Sequence, residues 1–340
     1  MDVSGWSRAE RRAPDRRGSG FLAALVCCAL IAAGCAEVQS GPPGTPAARG
    51  AADDSDLWNL APSAADTVAD VNLVVLRASP WTRALTQSDL SGQREHSVRT
   101  YGYDPFTDGD RLLVVAVETG GAPHNLTVLR GRFDPGRIGA AFSAANAHVA
   151  STRWRDSQVW DTGEWAVALV TPRTVVSGSS ADVRAAIDAA WGIVPDARSG
   201  PLGELRRAMG ADRDGPAAFA AVNVTEPLRA RAAGFLALPA GIQRFAARMD
   251  LGEDLNLDFT GVADNPADAA ATARAVTNAA RDYAEGTMIR LLGLAPILRS
   301  LTVGAEGARL HGHVSVPVEM RERLAEKLLA VLQMVAAAHH

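Results

Sequence analysis

An order of elements that runs through half of the chain and then starts again constrains the fold more than any single motif does. Beyond residue 57 the hydrophobic pattern alternates between a period of two, expected of strands, and a period of 3.6, expected of helices. Residues 72–76 are a short apolar run predicted to be a strand, and Ser79 followed by Pro80 predicts a helix start. Strands follow at 111–119 and 125–133 around Gly120, Gly121 and Pro123. A helix opening at Pro135 carries Ile138, Ala141, Phe142 and Ala145 on one face. Strands at 166–170 and 174–177 then lead into a helix whose inner face is Val183, Ile187, Ala190 and Trp191.

The second half runs through the same order. A strand at 217–224 and a helix at 226–238 precede a hairpin, 243–250 with 255–262. In its second strand Leu255, Leu257 and Phe259 alternate with Asn256, Asp258 and Thr260, as a half-buried antiparallel strand requires. A long helix begins near Pro266, with Ala269, Ala273, Val276, Ala280 and Tyr283 on one stripe. Strands at 301–305 and 309–316 turn at Glu306-Gly307, and Pro317 opens a last helix burying Met320, Leu324, Leu328, Val331, Leu332 and Val335. The pattern predicts an α+β fold of two tandem β-α-β-β-α-β-β-α repeats, with mainly antiparallel sheets and helices packed on one face. The alternative is one mixed domain with ordinary hairpins. The repeats would span 57–197 and 216–338, joined by a linker at 198–215 with a short helix.

Ahead of this module lies residues 21–35, FLAALVCCALIAAGC, preceded by five arginines and closed by Ala32, Ala33 and Gly34. These are the three parts of a secretory signal, and the run is shorter than the roughly 20 apolar residues that a membrane-spanning helix needs. In Ile31-Ala32-Ala33-Gly34-Cys35 the segment resembles the lipobox of bacterial lipoproteins. The resemblance implies cleavage after residue 34, lipidation of Cys35 and a membrane anchor of more than one acyl chain. With Ala36 rather than Asp after the cysteine, it also implies sorting to the outer membrane, facing the periplasm or the cell surface. Residues 35–56, rich in Pro, Gly, Ala and Ser, read as a disordered tether. The chain as a whole resembles uncharacterised envelope lipoproteins with tandem sheet-and-helix repeats.

Cysteine usage agrees with that layout. Cys27 and Cys28 fall inside the leader and Cys35 would carry lipid, so packing alone must stabilise the mature module. The chain is mildly acidic, with a formal net charge of −4, and no basic tract follows the leader. The electrostatic footprint of nucleic-acid binding is therefore missing. Lys327 is the sole lysine.

Each chemical motif has a structural explanation. Ser177-Gly-Ser-Ser180 sits between strand and helix but lacks the Gly-x-Ser-x-Gly pattern; Ser179 with Asp182 reads as a helix cap. His311 and His313 project from one face of a strand about 7 Å apart. Without HExxH or a Cys/His quartet they read as a solvated face, and no metal site is expected. His339 and His340 at the terminus could bind metal adventitiously. Asp104, Asp108 and Asp110 cluster around Gly109 but lack the spacing and closing Glu of a calcium loop. Neither GxGxxG nor a P-loop occurs, so no nucleotide cofactor is expected. Trp154, Trp160 and Trp165, interleaved with Arg153 and Arg155, form the candidate binding cluster, suited to a glycan or a protein partner if exposed and to the core if buried.

The functional expectation is a lipid-anchored envelope protein with a non-catalytic binding or scaffolding role, partnered by the membrane and by an envelope protein or glycan. One alternative is an envelope hydrolase whose groups, among them His96, His124 and His148, meet only in space. Another is a carrier of a hydrophobic ligand.

Overall fold

The computed structural model describes residues 56–82, 91–117, 124–146, 148–212, 215–232, 241–291 and 293–322. The leader, Cys35, nearly all of the tether and residues 323–338 of the last predicted helix lie outside them.

The protein is α+β, built on one large antiparallel sheet. A 3-10 turn, Leu57–Leu60, precedes β1 (Thr67–Asn72), α1 (Leu73–Ala78), α2 (Ser91–Tyr101) and α3 (Pro105–Asp108). Next come β2 (Gly109–Val117), β3 (His124–Gly131), α4 (Pro135–Ala144), β4 (Ala150–Trp154), β5 (Ser157–Asp161), β6 (Trp165–Thr171), β7 (Thr174–Ser179) and α5 (Ser180–Ala190). Then α6 (Pro201–Ala208), β8 (Ala218–Asn223), α7 (Glu226–Ala232), β9 (Ile242–Leu251), β10 (Leu255–Ala263) and α8 (Pro266–Glu285) follow. The chain continues through α9 (Thr287–Leu291), α10 (Ala295–Ser300), β11 (Thr302–Glu306), β12 (Arg309–Val316) and a 3-10 turn, Val318–Met320.

The twelve strands lie in the order β11-β12-β10-β9-β8-β1-β2-β3-β7-β6-β5-β4. At the middle β1 pairs antiparallel with β8, from Thr67 opposite Val222 to Val71 opposite Ala218, so the two halves share one continuous sheet. Outward from this seam the order is β1-β2-β3-β7-β6 in one direction and β8-β9-β10-β12-β11 in the other.

Local chemistry explains the helix starts. The Asp134 carboxylate accepts from the N–H groups of Gly136 and Arg137 with Pro135 in the first turn, and Asn265 caps α8 by accepting from Asp268 N at 3.0 Å. Ser179 accepts from Asp182 N at 3.2 Å, the cap its spacing predicts. The run at 72–76 corrects a prediction, because the strand ends at Asn72 and Leu73–Ala78 is helical. Asn72 Oδ1 accepts from Val75 N at 3.1 Å and starts the helix, which ends at Ser79 instead of starting there. The strand precedes the apolar run, and its alternation is hidden by Asp70, a buried charge. Two hydrogen bonds from Arg111, at 2.7 and 2.9 Å, and one from Trp58 Nε1 at 2.9 Å hold that carboxylate.

Helices cover both faces of the sheet, not one. On the first face α5 and α6 pack with Trp58 against Val68, Leu113, Val128, Val176 and Phe219. On the opposite face Ile138 and Phe142 of α4 meet Val71, Leu129, Val167 and Val175. That second face stays covered beyond the seam, where Ala269 of α8 packs with Ala247, Phe259 and Leu310, and Ile297 of α10 with Val314 and Val316. Burial of each such Leu, Ile or Phe contributes about 1.5–3 kcal/mol. The first face changes character at β9, and the candidate site lies there.

Candidate functional site on strands β9 to β12

Strand register assigns the side chains of this face row by row. Arg248 lies opposite Asp258, Asp258 opposite His313, and His313 opposite Thr302. In the next row Ala246, Thr260, His311 and Gly304 align, and beyond them Arg244, Val262, Arg309 and Glu306. Alternation turns the intervening Ala247, Phe259, Leu310 and Gly312 to the covered face. Arg248, Asp258, Thr260, Thr302, Arg309, His311 and His313 from these rows, with Ala208 and Met209 at the end of α6, line a groove of about 660 Å³.

Charges in the groove are organised around Asp258. Its Oδ1 lies 2.8 Å from Nδ1 of His313, and both side chains are about half exposed. On its other side is Arg248, whose Nε donates to Asp250 at 2.7 Å and whose Nη1 donates to the Met209 carbonyl at 3.0 Å. The Asp250 hydrogen bond raises the Arg248 pKa and burial opposes it; the charges of Asp250 and Asp258 add to the rise. The guanidinium is thus pinned across β9 and the end of α6. Thr260 Oγ1 donates to the Leu310 carbonyl at 2.9 Å. Arg309 and His311 are exposed, and no side-chain hydrogen bond or ion pair joins either to another described residue. The His311 imidazole lies over Gly304, where a Cβ would come within 2.6 Å of Nε2.

The tryptophan cluster is divided between the two faces. Trp154, on the first face, donates from Nε1 to Asp188 at 3.1 Å, and the guanidiniums of Arg155 and Arg184 lie 5.7 and 5.2 Å from its ring centre. Arg155 also pairs with Asp188 at 2.8 Å, and Arg184 with Asp161 at 2.8 Å, which ties the β4–β5 hairpin to α5. Trp160 points to the other face, buried at 3 % exposure beneath α4, where Gly139 allows the ring close approach. Trp165 lies half-buried on the same face as Trp160. Arg153 sits opposite Gln158 on the hairpin, whose turn places Arg155 at a φ of 54°. The Trp-rich stretch ahead of the strand predicted at 166–170 is therefore a hairpin whose aromatic rings pack inward.

The remaining candidates are dispersed. His96 is on α2 above the second face, His124 is 4.0 Å from Asp182 on the first, and His148 occupies a turn before β4 with a φ of 73°. Asp104 caps α3 and binds Arg94 Nη2 at 2.6 Å. Burial works to raise its carboxyl pKa, but the hydrogen bonds from Arg94 and Phe106 outweigh it and hold the group below the ordinary range. Asp108 accepts from Asp104 N, and Asp110 pairs with Arg173 at 3.0 Å, so these carboxylates serve three separate contacts. Among the described residues no group of three or more His, Cys, Asp or Glu is arranged to hold a metal ion. No described helix is long and apolar enough to cross a membrane.

Strand alternation pointed to Asp258, Thr260, His311 and His313 as polar positions. Arg248 and Arg309 were missed, since only the register shows that β9, β10 and β12 bring them together.

Fold and site define an α+β protein with one extended antiparallel sheet, helices on both faces and a polar groove where one face lies open. No protein family's sequence profile matches the chain, and no curated protein sequence matches it. Among solved structures it is similar to TP0453 in crystal form III, with a TM-score of 0.50 at 10% identity over 82% of this chain and 99% of that one. Crystal form IV of TP0453 aligns with a TM-score of 0.49 at 12% identity, covering 84% of this chain and 99% of that chain. At such low identity the likeness is one of fold.

Proposed function

We propose that this chain is a lipid-anchored cell-envelope protein whose folded module binds a partner through the groove on β9 to β12. The observation that carries the binding role is the contrast along the first face. Helices α5 and α6, together with Trp58, bury it from β6 across the seam to β8 and Ala246 of β9, whereas from Arg248 of β9 to β12 it presents charged and polar side chains around a groove. The anchor rests on the lipobox-like run ending at Cys35, and the tether that follows would let the module stand off the membrane. The matching strand orders on either side of the β1–β8 seam support a duplicated architecture, in which one copy has kept this face open. Outer-membrane placement follows from the lipobox resemblance together with Ala36.

Intact mass of the membrane-extracted protein, beside a Cys35→Ala variant, tests the anchor. A native chain starting at Cys35 with added acyl mass, and a variant that leaves the membrane fraction, are expected. A chain retaining residues 1–34 without lipid would remove the envelope reading. Hydrogen exchange of the full chain, alone and with envelope extract, tests the surface: β10 and β12 amides should gain protection, and unchanged exchange there would exclude the groove.

A second reading, an envelope hydrolase, has one observation in its favour. The His313–Asp258 pair holds an imidazole within hydrogen-bonding reach of a carboxylate in a groove, as a general base requires. The nearest hydroxyl in the adjoining row, on Thr260, is engaged with a backbone carbonyl. Ester hydrolysis by the intact chain that is abolished in His313→Asn would favour this reading over binding alone.

A further inference from the structure

The groove's charges also specify what it binds, an inference that rests on reading the groove as the binding surface. We propose that it takes an elongated anionic ligand carrying several carboxylate or phosphate groups, laid along β12 against Arg309, His311 and His313.

The three residues alternate with Leu310 and Gly312, so their side chains leave the same face at steps of about 7 Å. A ligand with anionic groups at similar intervals meets one cationic or ionisable side chain per step. Arg309 brings a permanent charge and a planar fork suited to carboxylate or phosphate. The His311 imidazole lies over Gly304, which places it against the wall of the groove instead of across it. For His313, the carboxylate of Asp258 engages Nδ1, so the anion meets Nε2, a donor when the ring is protonated.

Every charged group facing this ladder bears on the balance. Among the described residues Asp258 is the sole carboxylate in the lining, and it is flanked by Arg248 and His313. Asp250 is engaged by Arg248. Arg244 approaches Glu204 of α6 at 3.8 Å, and Glu306 stands opposite Arg309 across the β11–β12 turn. Three arginines thus face four carboxylates, so what these contacts leave to an anion is local: Arg309, whose guanidinium no ion pair among the described residues engages although Glu306 stands beside it, and the imidazoles of His311 and His313 when they are protonated. A neutral or cationic ligand would leave that charge unmatched. Anion binding should strengthen as pH falls through the histidine range and weaken with added salt.

Calorimetric titration of the full chain in detergent micelles tests this with trigalacturonate, tripolyphosphate and neutral maltotriose, at about pH 5.5 and about pH 8 on either side of the histidine range. Saturable binding of either anion, absent for maltotriose and tighter at the lower pH, is expected. An Arg309→Gln/His311→Gln double variant should weaken it by roughly tenfold or more, the scale of a lost charge-assisted hydrogen bond. Both positions are exposed, so its thermal unfolding should match the parent. Vesicles of phosphatidylcholine with and without phosphatidylglycerol identify the source. Association that needs the anionic lipid and Arg309, with soluble anions inactive, supports the ligand chemistry and assigns it to a headgroup. Anion binding that the double variant leaves unchanged overturns the proposal. Variant-sensitive binding of maltotriose alone overturns the ligand class while sparing the binding surface, and no association by any probe or vesicle overturns the class outright. Failure of the surface itself is read separately, as unchanged hydrogen exchange with envelope extract.

Discussion

Both ends of the sheet turn alternate residues of each strand to the same first face, yet β1 to β7 carry Val68, Leu113, Val128 and Val176 there, whereas β9 to β12 carry Arg248, Asp258, Thr260 and His311. The first set is sealed by α5 and the Leu57–Leu60 turn, with α6 continuing the cover over β8; the second rims a groove. On the opposite face the two halves agree, each burying an apolar stripe under a helix. The lesson is that the hydrophobic effect sets which strands must be covered. A face freed from that demand becomes available for recognition, because its polar groups lose little by staying in water.

The comparison can be broken most severely at the seam. Asp70→Ala leaves the Arg111 guanidinium without its buried carboxylate and frees Trp58 Nε1. Removing one partner of such a pair should destabilise the module by about 3–5 kcal/mol. Urea unfolding followed by tryptophan fluorescence measures it; a loss below about 1 kcal/mol, the range of an exposed pair, would show that the seam is solvated. On the covered side of the second half, Gly312 makes room for the Phe259 ring, and an added Cβ would fall 2.1 Å from Cζ. Gly312→Ala should cost about 1–3 kcal/mol by overpacking, read from the shift in denaturant midpoint. In the first half, Ser179→Ala removes the cap of the helix that seals the face and should cost about 1 kcal/mol. The smallest effect belongs to the open face, where His311→Gln should change stability by less than about 0.5 kcal/mol. A larger loss there would mean that the face is structural.

Much of the fold was legible in the chain itself. The alternation in residues 255–262, the turn at Glu306-Gly307 and the Pro-led helices at Pro135 and Pro266 all coincide with observed elements, because local backbone demands write them into the sequence. β1 was illegible for a physical reason. A central strand with a charged residue matched by Arg111 and Trp58 has no clean apolar signature, while the adjacent Leu-Val-Val-Leu run looks like a strand and coils into α1. The β4–β5 hairpin escaped notice because a left-handed Arg155 makes its turn, with no glycine to mark it. The tryptophans were visible as a cluster, but strand alternation sends Trp154 to one face and Trp160 to the other.

Sequence alone determined that strands and helices alternate, that Ile138 and Phe142 of α4, Val183 and Ile187 of α5 and Phe259 of β10 turn inward, and that β10 and β12 each carry a polar face. Those properties depend on neighbours within a few residues. Only the tertiary structure decided that β1 pairs with β8, that helices lie on both faces of the first half, and that Arg248, Asp258, His313 and Arg309 share one groove. Pairing between distant strands depends on register and on which faces remain to be buried, and both are set by the assembled sheet as a whole.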